Sequence, residues 1–223
     1  MHYSRCPLLR TRPIAILFDL DGTLADTVPF ILESVRHAFE GHRRCPTDAE
    51  WIAGIGTPLR SQLAAFAERP EDVEVLFQRY RAFWIAHHDD RTRAFPGALE
   101  VVQELSAAGH PIGVVTAKNE QGALRTLGHT GMLPYVNTIV GADTCANAKP
   151  HPEPVLLALA RLDRPPAEAL MLGDSPHDLA AARAAGSLSV AALWGACRRE
   201  VLAPYADRLL EHVRDLPALV RSV

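Results

Sequence analysis

Residues 14–18, Ile-Ala-Ile-Leu-Phe, form an apolar run that stops abruptly at Asp19-Leu20-Asp21-Gly22-Thr23. A short, continuous apolar run of this kind reads as a buried β-strand. Asp19 and Asp21 stand two residues apart, so on a continuing strand both would point to one face. Gly22 allows the backbone to turn sharply at that point. One acid after a strand makes an ordinary turn. Two acids flanked by glycine and threonine call for partners elsewhere in the chain.

The pattern downstream supplies a frame for them. From about Thr27 to Arg93 only helices are expected. Pro29 can open one of them, with Asp26 or Thr27 as the N-cap. Ile31, Val35, Ala38 and Phe39 recur at helical spacing. Gly54, Gly56 and Pro58 force a turn. Val73, Leu76, Phe77, Tyr80, Phe83 and Trp84 make a helical stripe. After Pro96 short strands at residues 112–115, 138–140, 169–172 and 189–193 alternate with helices, the signature of parallel βαβ units. The expected fold is α/β, a Rossmann-like parallel sheet core with an inserted all-helical cap. Residues 1–26 and 94–223 form the core and residues 27–93 the cap.

Composition narrows the function classes. The 223 residues carry a net charge of −3, which predicts no broad attraction to nucleic acid or membrane surfaces. Four cysteines, Cys6, Cys45, Cys145 and Cys197, lie far apart and read as free thiols in a reducing compartment. No transmembrane-length apolar segment and no leader-like h-region in residues 1–13 are found, so a cytoplasmic protein is expected. Of 23 Lys plus Arg, only Lys118 and Lys149 are lysine.

Polar clusters follow the predicted strands: Asp19 and Asp21, then Thr116-Ala117-Lys118, then Gly173-Asp174-Ser175-Pro176-His177-Asp178. In an open parallel sheet the carboxyl ends of the strands share one edge, where ligands bind. Lys149 precedes a helix, in a loop that can face the same edge. Converging Asp19, Asp21, Asp174 and Asp178 would repel one another. A divalent cation and Lys149 relieve that repulsion, and an all-oxygen donor set favours Mg²⁺ over zinc or copper. Mg²⁺, one lysine and the Thr116 hydroxyl also form a phosphoryl-binding set.

Asp19-Leu20-Asp21-Gly22-Thr23-Leu24 resembles motif I of the haloacid dehalogenase-like hydrolases. Thr116 resembles motif II, Lys149 motif III, and Gly173-Asp174 with Asp178 motif IV, in the family's order. The helical insert is similar to the family's first cap type. The resemblance implies that Asp19 attacks phosphorus and forms an aspartyl-phosphate. It implies that Asp21 protonates the leaving oxygen and then deprotonates water. Asp19, Asp174 and the Asp21 backbone carbonyl would hold Mg²⁺, with Asp178 as a further ligand or acting through water. Thr116 and Lys149 would stabilise phosphoryl charge, and Gly22, Thr23 and Ala117 would border the substrate.

Residues 54–60, containing Gly56 and Arg60, resemble the family's cap loop for substrate selection. Arg60 would meet a substrate carboxylate or second phosphate, or else be a surface arginine beside a helix break. Lys118 resembles the motif II lysine of phosphoglycolate- and pyrophosphate-cleaving members; the alternative is a surface lysine. His87-His88-Asp89-Asp90 reads as a solvated helix end rather than a metal cluster, because neighbouring histidines diverge on a helix. The segment Tyr80-Arg81 followed by His88-Asp89 is nevertheless similar to the cap of the family's bacterial pyrophosphatases. The stripe from Phe77 to Trp84 is read as cap core or cap–core contact.

These readings lead to a Mg²⁺-dependent phosphatase for a small phosphorylated metabolite, 2-phosphoglycolate-like or pyrophosphate, working as a monomer or homodimer. A sugar-phosphate mutase of the same fold is the nearest alternative. A serine esterase built on Gly173-Asp174-Ser175 and a non-enzymatic protein are the more distant ones. Dehalogenation is disfavoured by the second acid, Asp21. Phosphonate cleavage is disfavoured because no cap lysine precedes Lys118.

Overall fold

The structure is a computed structural model that describes residues 13–223. Cys6 and nearly all of the segment read as lacking a leader lie outside the described residues. Six strands, β1 (Ala15–Phe18), β2 (Ile112–Val115), β3 (Thr138–Val140), β4 (Ala169–Gly173), β5 (Leu188–Ala192) and β6 (Arg208–Leu210), form one parallel sheet in the order β3-β2-β1-β4-β5-β6. Ten α-helices accompany them among the described residues. Between β1 and β2 come α1 (Val28–Ala38), α2 (Asp48–Ala53), α3 (Leu59–Ala64), α4 (Asp72–Arg91) and α5 (Ala98–Ala107). Then follow α6 (Glu120–His129), α7 (Glu153–Arg161), α8 (Pro176–Ala185), α9 (Arg199–Leu202) and α10 (Leu216–Val220).

β1 is apolar throughout because both of its faces are covered. Ile16 and Phe18 enter one buried layer with Val101, Val102 and Leu105 of α5, while Ala15 and Leu17 enter the opposite layer with Val155 and Leu159 of α7. β4 repeats the alternation, with Leu170 and Leu172 on the first side and Ala169 and Met171 on the second. β1 pairs with β2 on one side (Ile16 with Ile112) and β4 on the other (Ile16 with Leu170). The strand order reverses direction at β1 and β4. A crevice therefore opens beyond their carboxyl ends, the usual ligand position in a doubly wound sheet.

β6 extends the sheet beyond the strands expected from the sequence. It spans three residues, of which only Leu210 is buried, so it carries almost no periodic signal of its own. α1 starts at Val28 with Thr27 at the N-cap position, yet the Thr27 side chain makes no cap bond. It donates to Asp21 Oδ1 at 2.6 Å instead.

Helices α1 to α4 share a separate buried cluster that includes Ile31, Val35, Phe39, Trp51, Leu63, Leu76 and Tyr80. The chain enters and leaves this cap through two adjacent passages joined by an Ala25–Ala94 bridge. Asp26 N donates to Arg93 O at 2.8 Å, and Phe95 N donates to Leu24 O at 3.0 Å.

A second connection overturns the reading of His88 as part of a solvated helix end, while His87, Asp89 and Asp90 are exposed as expected. His88 is fully buried. One ring nitrogen lies 2.6 Å from Asp89 Oδ1 and the other 2.9 Å from Thr126 Oγ1 of α6. Trp84 and His129 pack against the ring, and Arg125 reaches the Ile85 carbonyl and Asp89. Burial lowers the His88 pKa from its ordinary 6.5; Lys118 and Arg125 act in the same direction and Asp89 opposes them. A folded pKa below the unfolded value means that the unfolded chain binds the extra proton. Stability is then complete above about pH 6.5 and falls as the pH drops below it. Set against His88→Gln, the wild-type thermal unfolding midpoint is expected to lose ground as the pH is lowered from about 7.5 to about 5.5. Parallel slopes would show that His88 does not titrate on unfolding.

Candidate active site

Asp19 is the first residue beyond β1, and its backbone N–H still bonds to Leu172 O of β4 at 2.9 Å. The strand has already ended, so Asp19 and Asp21 are not on one continuing strand face. Residues 20–25 form a tight turn with Gly22 at φ +85°. This turn separates the two carboxylates into different environments.

Asp19 and Lys149 are both buried, and Lys149 Nζ donates to Asp19 Oδ1 at 2.8 Å. The same ammonium reaches Asp178 Oδ1 at 2.5 Å and Val115 O at 2.9 Å. Its three donors are thereby used. Paired with two carboxylates, its pKa stands well above the ordinary lysine value despite the cost of burial. Among the described residues no hydrogen bond reaches Asp19 Oδ2, which leaves that oxygen available. Burial, with Asp178 nearby, raises the Asp19 pKa to about 7; Lys149 opposes the rise.

Asp174 follows β4 and is also buried. Thr23 Oγ1 donates to its Oδ1 at 3.2 Å, and the Ala196 N–H donates to its Oδ2 at 2.7 Å. Burial raises its pKa well above the carboxylate range, and Asp19 and Asp178 add to the rise. Asp178 is committed on both oxygens. Its Oδ2 accepts from Ser175 N at 3.0 Å and Ser175 Oγ at 2.6 Å, and Ser175 caps α8 in return. That use of the Ser175 hydroxyl gives the esterase alternative no support: no histidine bonds to it among the described residues.

Asp19, Asp174 and Asp178 present carboxylate oxygens within 4.8 Å of one another. The donor set fits a hard divalent cation such as Mg²⁺. Two glycines keep space beside it. A side chain at Gly22 or at Gly195 would collide with Asp174. The Asp21 carboxylate stands outside this cluster. Its Oδ1 accepts from Thr27 Oγ1 and from Lys118 Nζ, the latter at 2.7 Å. The Lys118 ammonium also lies 4.9 Å from the centroid of Trp84 on α4.

Asp19, Asp21, Thr116, Ala117 and Lys118 open into a cavity of about 670 Å³ between sheet and cap. Gly56 and Arg60 line it from the cap side. Gly56 also sits against the loop after β4, where an added Cβ would lie 2.6 Å from Ser175 Oγ. Arg60 is ion-paired with Glu74 and stacked 3.6 Å from the Phe77 centroid. Phe77, Tyr80 and Trp84 line the same space, so the aromatic stripe serves as cavity wall as well as cap core. Thr116 Oγ1 accepts from the Lys118 N–H at 3.2 Å and thereby shapes the loop after β2.

The sequence reading missed the loop after β5. Trp194 Nε1 donates to Thr23 O at 3.0 Å, and Ala196 N holds Asp174. The Ala196 contact is a backbone one that any residue type but proline could make; only Gly195 carried a signal.

Comparison with known proteins agrees with this architecture. The family model described as haloacid dehalogenase-like hydrolase matches residues 16–192. The pyrophosphatase PpaX of Anoxybacillus flavithermus is 37% identical over 207 residues, covering 92% of this chain and 95% of that protein. A haloacid dehalogenase-like family hydrolase from Streptococcus pneumoniae superimposes with a TM-score of 0.80 at 26% identity, covering 92% of this chain and 97% of that one. A structure described as a predicted phosphoglycolate phosphatase from Haemophilus somnus shares the fold, with a TM-score of 0.84 at 21% identity over 94% of this chain and 99% of that one. With its sheet order, its buried Asp19–Lys149 pair and its helical insert after β1, the chain belongs to the haloacid dehalogenase-like hydrolase family.

Proposed function

We propose that the protein is a Mg²⁺-dependent phosphatase that hydrolyses a small phosphorylated metabolite, 2-phosphoglycolate-like or pyrophosphate, through an aspartyl-phosphate on Asp19. In this reading residues 1–26 and 94–223 are the catalytic core and residues 27–93 the cap. The protein would work in the cytoplasm as a monomer or homodimer; no helix among the described residues is long and apolar enough to cross a membrane. The observation that carries the proposal is the asymmetry at Asp19: Oδ1 is held by Lys149, and Oδ2 is free beside a substrate-sized cavity. The pyrophosphatase name borne by the relatives supports the pyrophosphate candidate.

Asp19 Oδ2 attacks phosphorus, and the bond from phosphorus to the leaving oxygen breaks. Asp21 gives that oxygen its proton. The ionised Asp21 then takes a proton from water, which attacks phosphorus and releases Asp19 and inorganic phosphate. Each carboxylate thus has one task, nucleophile or acid/base. The Lys149 charge, close behind Asp19, and the Thr116 hydroxyl offset the charge of the phosphoryl oxygens. Asp19 and Asp174, with Asp178 behind them, would hold Mg²⁺, which supplies charge neutralisation of the phosphoryl group when bound. Closing the cavity over a small substrate excludes bulk water.

Phosphate release should be measured with phosphoglycolate, pyrophosphate, nucleotides and sugar phosphates, each with Mg²⁺ and with excess chelator. Turnover with Mg²⁺ is expected for at least one of the first two, falling by about 10³-fold or more on chelation. Equal rates with and without metal would refute the metal role. Isomerisation of a hexose 1-phosphate without phosphate release would replace hydrolysis by the mutase reading.

A further inference from the structure

We propose that Arg81, on the cavity face of α4, recognises a second anionic group carried by the leaving portion of the substrate. The inference rests on the phosphatase reading, and it assigns the residue that selects phosphate compounds whose leaving group bears its own carboxylate or phosphate, as both proposed candidates do.

Four cationic side chains line the cavity: Arg60, Arg81, Lys118 and Arg125. Three already have a carboxylate. Arg60 pairs with Glu74, Lys118 with Asp21 and Arg125 with Asp89. Arg81 has no acidic partner among the described residues; its guanidinium carbon lies 5.9 Å from the Phe77 ring centroid. Three of the four charges are neutralised locally, and the fourth remains available to an incoming anion. An arginine is suited to this task because its planar fork can bind a carboxylate or phosphate with two parallel hydrogen bonds.

Position supports the same assignment. Arg81 lies one helical turn before Trp84 on α4. The Trp84 ring meets the Lys118 ammonium, and Lys118 meets Asp21, the proposed proton donor to the leaving oxygen. A leaving group that starts at Asp21 therefore extends along α4 toward Arg81. The cavity has room for it: about 670 Å³ falls within the range of roughly 300–1,000 Å³ that encloses whole small organic ligands. Phe77, Tyr80 and Trp84 offer that body apolar contact, and Arg81 provides a charged terminus.

Binding of phenylphosphonate and 4-carboxyphenylphosphonate, in the presence of Mg²⁺, tests the assignment by calorimetry without requiring turnover. The two ligands share a phosphoryl group and a ring and differ by one distal anion. The wild-type protein is expected to bind the carboxylated ligand about tenfold more tightly. Arg81→Gln should erase that ratio and leave phenylphosphonate affinity within about twofold, while Arg81→Lys keeps part of it. Arg60→Gln should leave the ratio largely intact. The proposal is overturned if wild type does not discriminate, if Arg81→Gln keeps the ratio, if both ligands weaken together, or if the ratio depends on Arg60 instead. Failure of the phosphatase reading would look different: the binding ratio would persist while no phosphate ester or anhydride was turned over.

Discussion

Asp19→Asn is expected to lower phosphate release by about 10⁴-fold or more, the scale on which enzymes lose rate when a covalent nucleophile is removed. The amide keeps the shape of the side chain and cannot form an acyl-phosphate. The same variant has a second, opposite signature in stability. In the metal-free protein the Asp19 pKa is about 7, raised by burial, against an ordinary 3.8. A group with a raised folded pKa contributes stability that is present below its unfolded pKa and lost as the pH rises through the folded value. Metal-free wild type should therefore lose stability between about pH 4 and about pH 7, whereas the amide of the variant has no proton to lose there. Unfolding midpoints with chelator should fall less steeply over that window in Asp19→Asn than in wild type. Activity retained within tenfold would remove Asp19 from the nucleophile role, whatever the stability profile shows.

Lys149→Met should damage both folding and chemistry. The buried ammonium is enclosed by Asp19 Oδ1, Asp178 Oδ1 and the Val115 carbonyl. Methionine fills a similar volume and leaves three buried carboxylates facing one another. Removing one member of a buried ion pair costs about 3–5 kcal/mol, because the remaining charge is uncompensated. Denaturant unfolding of the metal-free protein near neutral pH should show a loss of that size. The loss should shrink in acid, where the carboxylates take up protons, and shrink again when Mg²⁺ is added. Phosphate release should fall by about 10²–10³-fold or more even with Mg²⁺ saturating, since the positive charge that offsets Asp19 and the phosphoryl group is gone. An unfolding free energy within about 1 kcal/mol of wild type would mean that the triad is already neutral without Lys149.

Much of this arrangement was legible in the chain, for identifiable reasons. The strands that build the crevice are short apolar runs ending in polar clusters, because a strand buried on both faces must be apolar and its carboxyl end meets the ligand edge. Both lysines of the chain, Lys118 and Lys149, stand at this crevice, each bonded to one motif I aspartate. What escaped the sequence reading has weaker local signals. β6 has one buried side chain. His88 sits in a run of polar residues, and its burial depends on Thr126 and Trp84, brought together by packing of α4 on α6. The loop after β5 holds Asp174 through a backbone group, which leaves no trace in side-chain identity.

The amino-acid sequence by itself determined the α/β pattern, the helical insert after β1 and the set of acids, hydroxyl and lysine that converge, since each follows from local periodicity or from charges that need a counter-charge. Tertiary structure alone decided how the parts divide their work. It placed Asp21 with Thr27 and Lys118 rather than in the cluster of Asp19, Asp174 and Asp178. It paired Arg60 with Glu74 and left Arg81 open to the cavity. The physical reason is the same in each case. A charged side chain's role depends on which opposite charge lies within a few ångströms, and contacts between residues far apart in the chain exist only after the sheet and cap have packed.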